Sequence, residues 1–282
     1  MGLPGEQMRP EEFWQIDPAF DALYREKLAI GKGIASESEV VVLGCARNCE
    51  KNLTNSLHLI NELGACFKYA SGVIYENDSV DDTKKILNRD RPGWLEVVCQ
   101  TLDRPHYHLF EDDRTLAMAE YRNRCLEWAR GDHADADYVV VLDLDADGGF
   151  SVDGVLNSLA WLEARPDAAG MASYSLYRVG SAGGLDKYGQ HDAWAARLNH
   201  WDDRYSAGMG KWFHLWMPPA GSEPVPFYSA FGGLATYRAA AYYVGQYRGR
   251  DCEHVPFHRS IREATGLGMY LNPGSRFAAI LS

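Results

Sequence analysis

The chain has 282 residues, 46% hydrophobic and 24% charged, enough to bury a core and unlike a disordered tail, a collagen or a coiled coil. With 28 Lys and Arg against 39 Asp and Glu, the net charge is −11. This excludes a general nucleic-acid binder, which needs a basic surface to displace counterions. No apolar stretch approaches the ~20 residues that span a bilayer, and the start MGLPGEQMRPEEFW lacks the basic-then-apolar order of a signal peptide. Six cysteines without a C-x-x-C pair fit reduced thiols, so a cytoplasmic protein is expected.

The first predicted element is a helix that Asp17 caps and Pro18 opens, with Phe20, Leu23, Tyr24, Lys27 and Leu28 on one face. A glycine-containing break at 31–35 ends it, so 1–35 reads as an N-terminal helical extension and 36–282 as the main domain. VVVLGCARN (40–48) is a buried strand running into a turn. Asn52 to Leu63 repeats apolar residues at 53, 57, 60 and 63 and stops at Gly64, a helix with a terminal glycine. Lys68 to Tyr75 is a second strand, and a short helix follows from Asp81 to Asn88. This alternation is the rhythm of a parallel α/β sheet.

Residues 97–109 are weakly patterned, with room for one more strand. Asp113 to Arg130 reads as a helix, YVVVLDLDAD (138–147) as the most apolar strand, Gly154 to Ala164 as a helix and Gly170 to Tyr177 as a strand. Residues 180–226 are rich in Trp, Tyr, Gly and Pro and poor in periodicity, which suits an irregular acceptor-side segment. Phe231-Gly232-Gly233, a helix near 237–245 and Cys252-Glu253-His254-Val255-Pro256-Phe257-His258 complete the chain's features.

Chemistry concentrates at Asp143-Leu144-Asp145. A buried strand ending in closely spaced carboxylates points them off the carboxyl edge of the sheet, where α/β proteins bind ligands. Such oxygens suit a hard cation, Mn²⁺ or Mg²⁺, which neutralises charge on a diphosphate leaving group. Arg47 follows the first strand, and Asn77 and Asp78 follow the second, where amide and carboxylate can hold a base or ribose. Arg122, on the helix before the acidic strand, can meet a phosphate. Gly232 and Gly233 offer backbone N–H groups with no side chain in the way. Glu253, His254 and His258 supply an acid or base and possible metal ligands.

The segments YENDSVDDTKKIL, YRNRCLEWA, VVVLDLD, FYSAFGGLATYRA and CEHVPFH, in this order, resemble the mannosyltransferase-type GT-A glycosyltransferases. These include the fungal capsule-associated α-1,3-mannosyltransferases and Anp1-like enzymes. The resemblance runs from about Val40 to Asn272. It implies a single α/β domain with a Rossmann-type, mostly parallel sheet flanked by helices. It further implies transfer of a hexose, mannose as first choice, from GDP-mannose or a UDP-hexose to a glycan hydroxyl. Asp143 and Asp145 would hold the metal, Asp145 more directly, with His254 or His258 completing the site. Arg47, Asp78 and Arg122 would bind the nucleotide and diphosphate. Glu253 would be the general base if the anomeric carbon inverts; the resemblance leans toward retention, in which case Glu253 would position donor or acceptor. Trp194, Trp201, Trp212 and Trp216, with Tyr188, can form an aromatic platform for an acceptor sugar.

Two other readings share the acidic strand. A sugar nucleotidyltransferase would need a glycine-rich basic loop after the first strand, where Gly44-Cys45-Ala46-Arg47 has one glycine. A calcium-dependent sugar-binding module would use Asp143, Asp145, Asp147, Gly148 and Ser151 as a calcium loop, but its twelfth position is Gly154 instead of Glu.

Overall fold

The computed structural model describes residues 9–105, 107, 112–182, 185–205 and 216–280. At its centre lie β1 (Glu39–Ala46) and β4 (Tyr138–Asp143), parallel neighbours in register from Val40 beside Tyr138 to Cys45 beside Asp143. β2 (Tyr69–Asn77) pairs parallel with β1, and β3 (Leu95–Gln100) with β2. The crossovers are α3 (Glu50–Gly64), α4 (Thr83–Asp90) and α5 (Asp112–Asp132).

Strand alternation sorts the core into two layers. Val41, Leu43, Val139 and Val141 pack with Tyr121, Cys125 and Leu126 of α5, together with α8 (Ala239–Tyr243) and α9 (His254–Thr265). Val40, Val42, Val140 and Leu142 face the other way, against Leu53, Leu57 and Ile60 of α3 and against α6 (Val152–Ala164). Each such side chain, buried on a two-sided sheet, contributes about 1.5–3 kcal/mol. The continuous apolar runs of β1 and β4 follow from having both faces covered.

Beyond β4 the sheet is mixed. β9 (Leu234–Arg238) lies antiparallel between β4 and β6 (Ala168–Ala182), and β6 runs parallel to β10 (Gly268–Ile280). The order is β3-β2-β1-β4-β9-β6-β10-β5, where β5 is Gly149–Phe150, and β7 (Leu185–Gln190) and β8 (Val225–Phe227) pair antiparallel with β6 and β10. The single α/β domain with a helix-flanked sheet is as expected. The unbroken parallel run is β3-β2-β1-β4; beyond it β6 and β10 pair parallel while the other pairings are antiparallel.

Three local readings change. α2 (Asp21–Glu37) continues through the expected break at 31–35. A Cβ on Gly31 would lie 1.8 Å from the Leu156 carbonyl oxygen of α6, so this glycine serves a close helix–helix approach. The expected helix over 237–245 is the end of β9 followed by α8. The segment 180–226 opens with the β6–β7 pairing and carries α7 (His200–Tyr205); Trp212 lies outside the described residues. No helix among the described residues is long and apolar enough to cross a membrane.

Candidate active site

Asp143 closes β4 at the carboxyl edge, and its backbone N–H donates to the Gly233 carbonyl at 2.8 Å. Leu144 turns into the core at 1% exposure, while Asp145 is exposed. Alternation thus presents the two carboxylates away from the core. Among the described residues, no three His, Cys, Asp or Glu side chains converge as metal ligands. The segment from Asp143 to Ser151, which the alternative calcium-binding reading would use as a loop, gathers no such set. Its backbone is tied to β10 instead: Asp147 N–H donates to Ala279 and Gly148 N–H to Ala278, both at 3.0 Å.

Arg122 is the organising cation. It is buried on α5, where Nε donates to Glu253 Oε1 at 2.8 Å and Nη2 to Asp143 Oδ1 at 2.9 Å. Burial opposes its charge, but Asp143 and Glu253 more than compensate and hold it well above the ordinary arginine value. Its Nη1 is buried without a hydrogen-bond partner. An orphaned guanidinium donor is costly without a ligand. Burial pushes the Asp143 carboxyl up to about 6, with Arg122 opposing and Asp145 adding to the shift. Glu253, expected as the base, is only 4% exposed and already holds Arg122.

The glycine pair works through its backbone shape. Gly232 and Gly233 have φ of +66° and +76°, and a Cβ on Gly232 would lie 2.0 Å from the Ser173 carbonyl oxygen. The Gly232 N–H, expected to be open to a ligand, donates at 2.6 Å to Asp192 Oδ2. Ser173 Oγ donates to the Gly232 carbonyl at 2.7 Å. Phe231, just before the pair, stacks on the His254 ring at 3.7 Å and lies 5.1 Å from the Arg122 guanidinium.

The histidines separate. His258 is a core residue: Nδ1 bonds Ser229 Oγ at 2.9 Å and Nε2 bonds the Tyr237 hydroxyl at 2.8 Å. Burial, then Arg262, pushes it down to about 3. With both nitrogens engaged it has none for a metal, which corrects that expectation. His254 is 2% exposed, its Nε2 lies 3.6 Å from Glu253 Oε1, and neither nitrogen has a hydrogen-bond partner. Burial and Arg122 keep it neutral.

The residues expected at the nucleotide shape a loop. Asp78 accepts from the N–H groups of Leu102, Asp103 and Arg104 at 2.7, 3.0 and 3.3 Å, and from Asn77 Nδ2 at 3.1 Å. Burial opposes these bonds, which hold its carboxyl down at about 2. Asn77 Nδ2 also donates to the Tyr121 hydroxyl, at 3.2 Å. Arg47 donates to the carbonyls of Arg104 and Pro105 at 2.7 and 3.0 Å. Asp78 thus spends its acceptors on the 101–105 backbone rather than standing open to a ribose. Sequence reading missed Asp192, in the turn after β7, because nothing near it is periodic or acidic.

Half-buried Asp143, with one oxygen on Arg122, and exposed Asp145 present carboxylate oxygens at the sheet edge, a donor type that suits Mg²⁺ or Mn²⁺, so the pair fits the ion the resemblance implies, without His258.

The fold is that of the GT-A glycosyltransferases. GalNAc-T7, solved with UDP, GalNAc and Mn²⁺, is 12% identical with a TM-score of 0.52 over 99% of this chain, which spans 55% of that one. A mycobacterial protein is 14% identical with a TM-score of 0.52, covering 90% of this chain and 69% of its own. A Pyrobaculum calidifontis mannosyltransferase in complex with GDP-Man and Mn²⁺ is 15% identical with a TM-score of 0.49, over 94% and 66% of the two chains. No family model and no curated protein matches the sequence.

Proposed function

We propose that the chain is a metal-dependent glycosyltransferase that moves a hexose, mannose first, from a nucleoside diphosphate sugar to a glycan hydroxyl in the cytoplasm. The observation that carries this reading is Arg122, a buried guanidinium at the acidic sheet edge with Nη1 unspent. A diphosphate oxygen is the acceptor that such a donor wants. Asp143 and Asp145 would hold Mn²⁺ or Mg²⁺, which would supply charge neutralisation at a diphosphate leaving group. Arg47, Asn77 and Asp78 shape the 101–105 loop against which the nucleoside of GDP-mannose or a UDP-hexose rests. Gly232 and Gly233 let the chain pass close to the donor sugar, and Glu253 orients Arg122. Trp201, 70% exposed on α7, offers a ring to the acceptor glycan.

The test is a thermal scan with GDP or UDP, with and without Mn²⁺. At a hundredfold excess over Kd, binding to the folded state stabilises by about 2.7 kcal/mol, about 5 °C for a chain of this size. That rise should require Mn²⁺ and vanish in Asp145→Ala, whose melting temperature without ligand stays near wild type because the side chain is exposed. Full turnover in EDTA would remove the metal from the proposal. No stabilisation by any nucleoside diphosphate would remove the transferase.

A further inference from the structure

Two cysteines from different elements meet behind the acidic edge. Cys45 is the next-to-last residue of β1, half-buried and level with Asp143 on β4. Cys125 is buried on α5, one turn beyond Arg122. Its Sγ donates to the Gly44 carbonyl at 3.7 Å, so it rests against the residue that precedes Cys45. The two thiols also hydrogen-bond each other, and both line one small gap with Leu43, Gly44, Arg122 and Val141. Both are free thiols. Side chains that face each other across so short a gap meet the geometric demand of a disulfide.

We infer that Cys45 and Cys125 form a reversible oxidative modification site, which a hydroperoxide closes into a disulfide. The Cys45 sulfur, the more exposed of the two, attacks a peroxide oxygen. The O–O bond breaks, the thiol proton leaves with the departing oxygen, and Cys45 becomes a sulfenic acid. The Cys125 sulfur then attacks the Cys45 sulfur. The S–O bond breaks, and hydroxide leaves with the Cys125 proton as water. Two thiols are oxidised and one peroxide is reduced. Two molecules of a small thiol reverse the step and leave as their own disulfide. The crosslink joins β1 to α5 beside both ends of the Arg122–Asp143 pair. Closing it pulls the turn that carries Arg122 toward β1, and so bears on the guanidinium that the diphosphate meets in the proposed reading.

The experiment treats the wild-type chain and its Cys45→Ser and Cys125→Ser variants with hydrogen peroxide, blocks the remaining thiols, and maps peptides by mass spectrometry without reductant. The expected product is a wild-type peptide pair joined through Cys45 and Cys125, about 2 Da lighter than its reduced parts and lost on treatment with dithiothreitol. In Cys125→Ser, Cys45 should stop at the sulfenic acid and be trapped by dimedone. Both thiols recovered blocked after peroxide, a sulfinic acid at wild-type Cys45, or a crosslink through the exposed Cys99 in place of this one would overturn the site. If the serine variants do not fold, the wild-type map decides by itself. A second measurement rests on the transferase reading: the calorimetric Kd for GDP or UDP with Mn²⁺, before and after oxidation. Binding should weaken by on the order of tenfold, the share of one hydrogen bond to a charged group, and return with dithiothreitol. An unchanged Kd would overturn the link from the crosslink to Arg122. No binding by the reduced chain would overturn the transferase reading, and the peptide map would still decide the disulfide.

Discussion

Replacing Glu253 by Ala is the sharpest probe of how the site is held together. Its side chain is 6% exposed and that of Arg122 5%, with 2.8 Å between Oε1 and Nε. Removing one member of such a pair leaves a buried charge uncompensated, which costs about 3–5 kcal/mol. Asp143 still accepts from Nη2 at 2.9 Å, so the low end, about 3 kcal/mol, is expected here. At about 2 °C per kcal/mol for a chain of this length, the melting temperature should fall by about 6 °C. Glu253→Gln keeps an oxygen for the Nε–H and should lose about half as much. The double substitution Arg122→Met with Glu253→Leu removes both charges and should regain part of the stability. It should nevertheless fail to bind a nucleoside diphosphate. Calorimetric scans with urea midpoints at neutral pH measure all three. A Glu253→Ala protein within about 1 kcal/mol of wild type would refute the view that Glu253 acts through Arg122, since no buried charge would then have been stranded.

Two further outcomes follow from backbone geometry and from charge. Gly232→Ala forces an alanine to φ +66° with its Cβ 2.0 Å from the Ser173 carbonyl oxygen; it should cost at least about 2 kcal/mol, read by urea denaturation, and weaken donor binding as the turn shifts. A wild-type midpoint would show that the turn is not under this constraint. Asp78 is held at about 2 against an ordinary 3.8, so the stability it supplies is present above about 4 and drains away as the pH falls toward 2. Asp78→Ala should therefore be less stable than wild type at neutral pH, with the gap closing on acidification. A gap constant from pH 6 to 2 would show that the charge is not what clasps the loop.

Legibility followed the range of the interactions. β1, β4 and α3 were readable because their patterns come from burial along one element. The acidic edge was readable because both carboxylates lie on consecutive outward positions of one strand end. Arg122 and Glu253 are 131 residues apart, so no spacing could announce their pair, and Glu253 looked like a free acid beside a histidine. His258 looked like a ligand for the same reason: Ser229 and Tyr237, which occupy its nitrogens, come from other elements. Leu234 to Arg238 was hidden because its short apolar run before Ala239-Ala240-Ala241 suits a helix as well as a strand. Only its place between β4 and β6 decides for the strand.

That placement also explains why the chemistry gathers where it does. β4 is the last strand of the parallel half, and its antiparallel neighbour β9 enters the sheet where β4 leaves it, with Leu142 beside Leu234. The residues just past one end and just before the other therefore meet: Asp143 N–H on the Gly233 carbonyl. A parallel neighbour would have carried its preceding loop to the far edge of the sheet. The antiparallel junction brings Phe231, Gly232 and, through Gly232, Asp192 beside the acidic pair. α5 then has to supply the countercharge from behind, through a gap in the apolar layer at Arg122. The sheet's change of direction brings these residues together, and the buried arginine supplies the countercharge to Asp143 and Glu253.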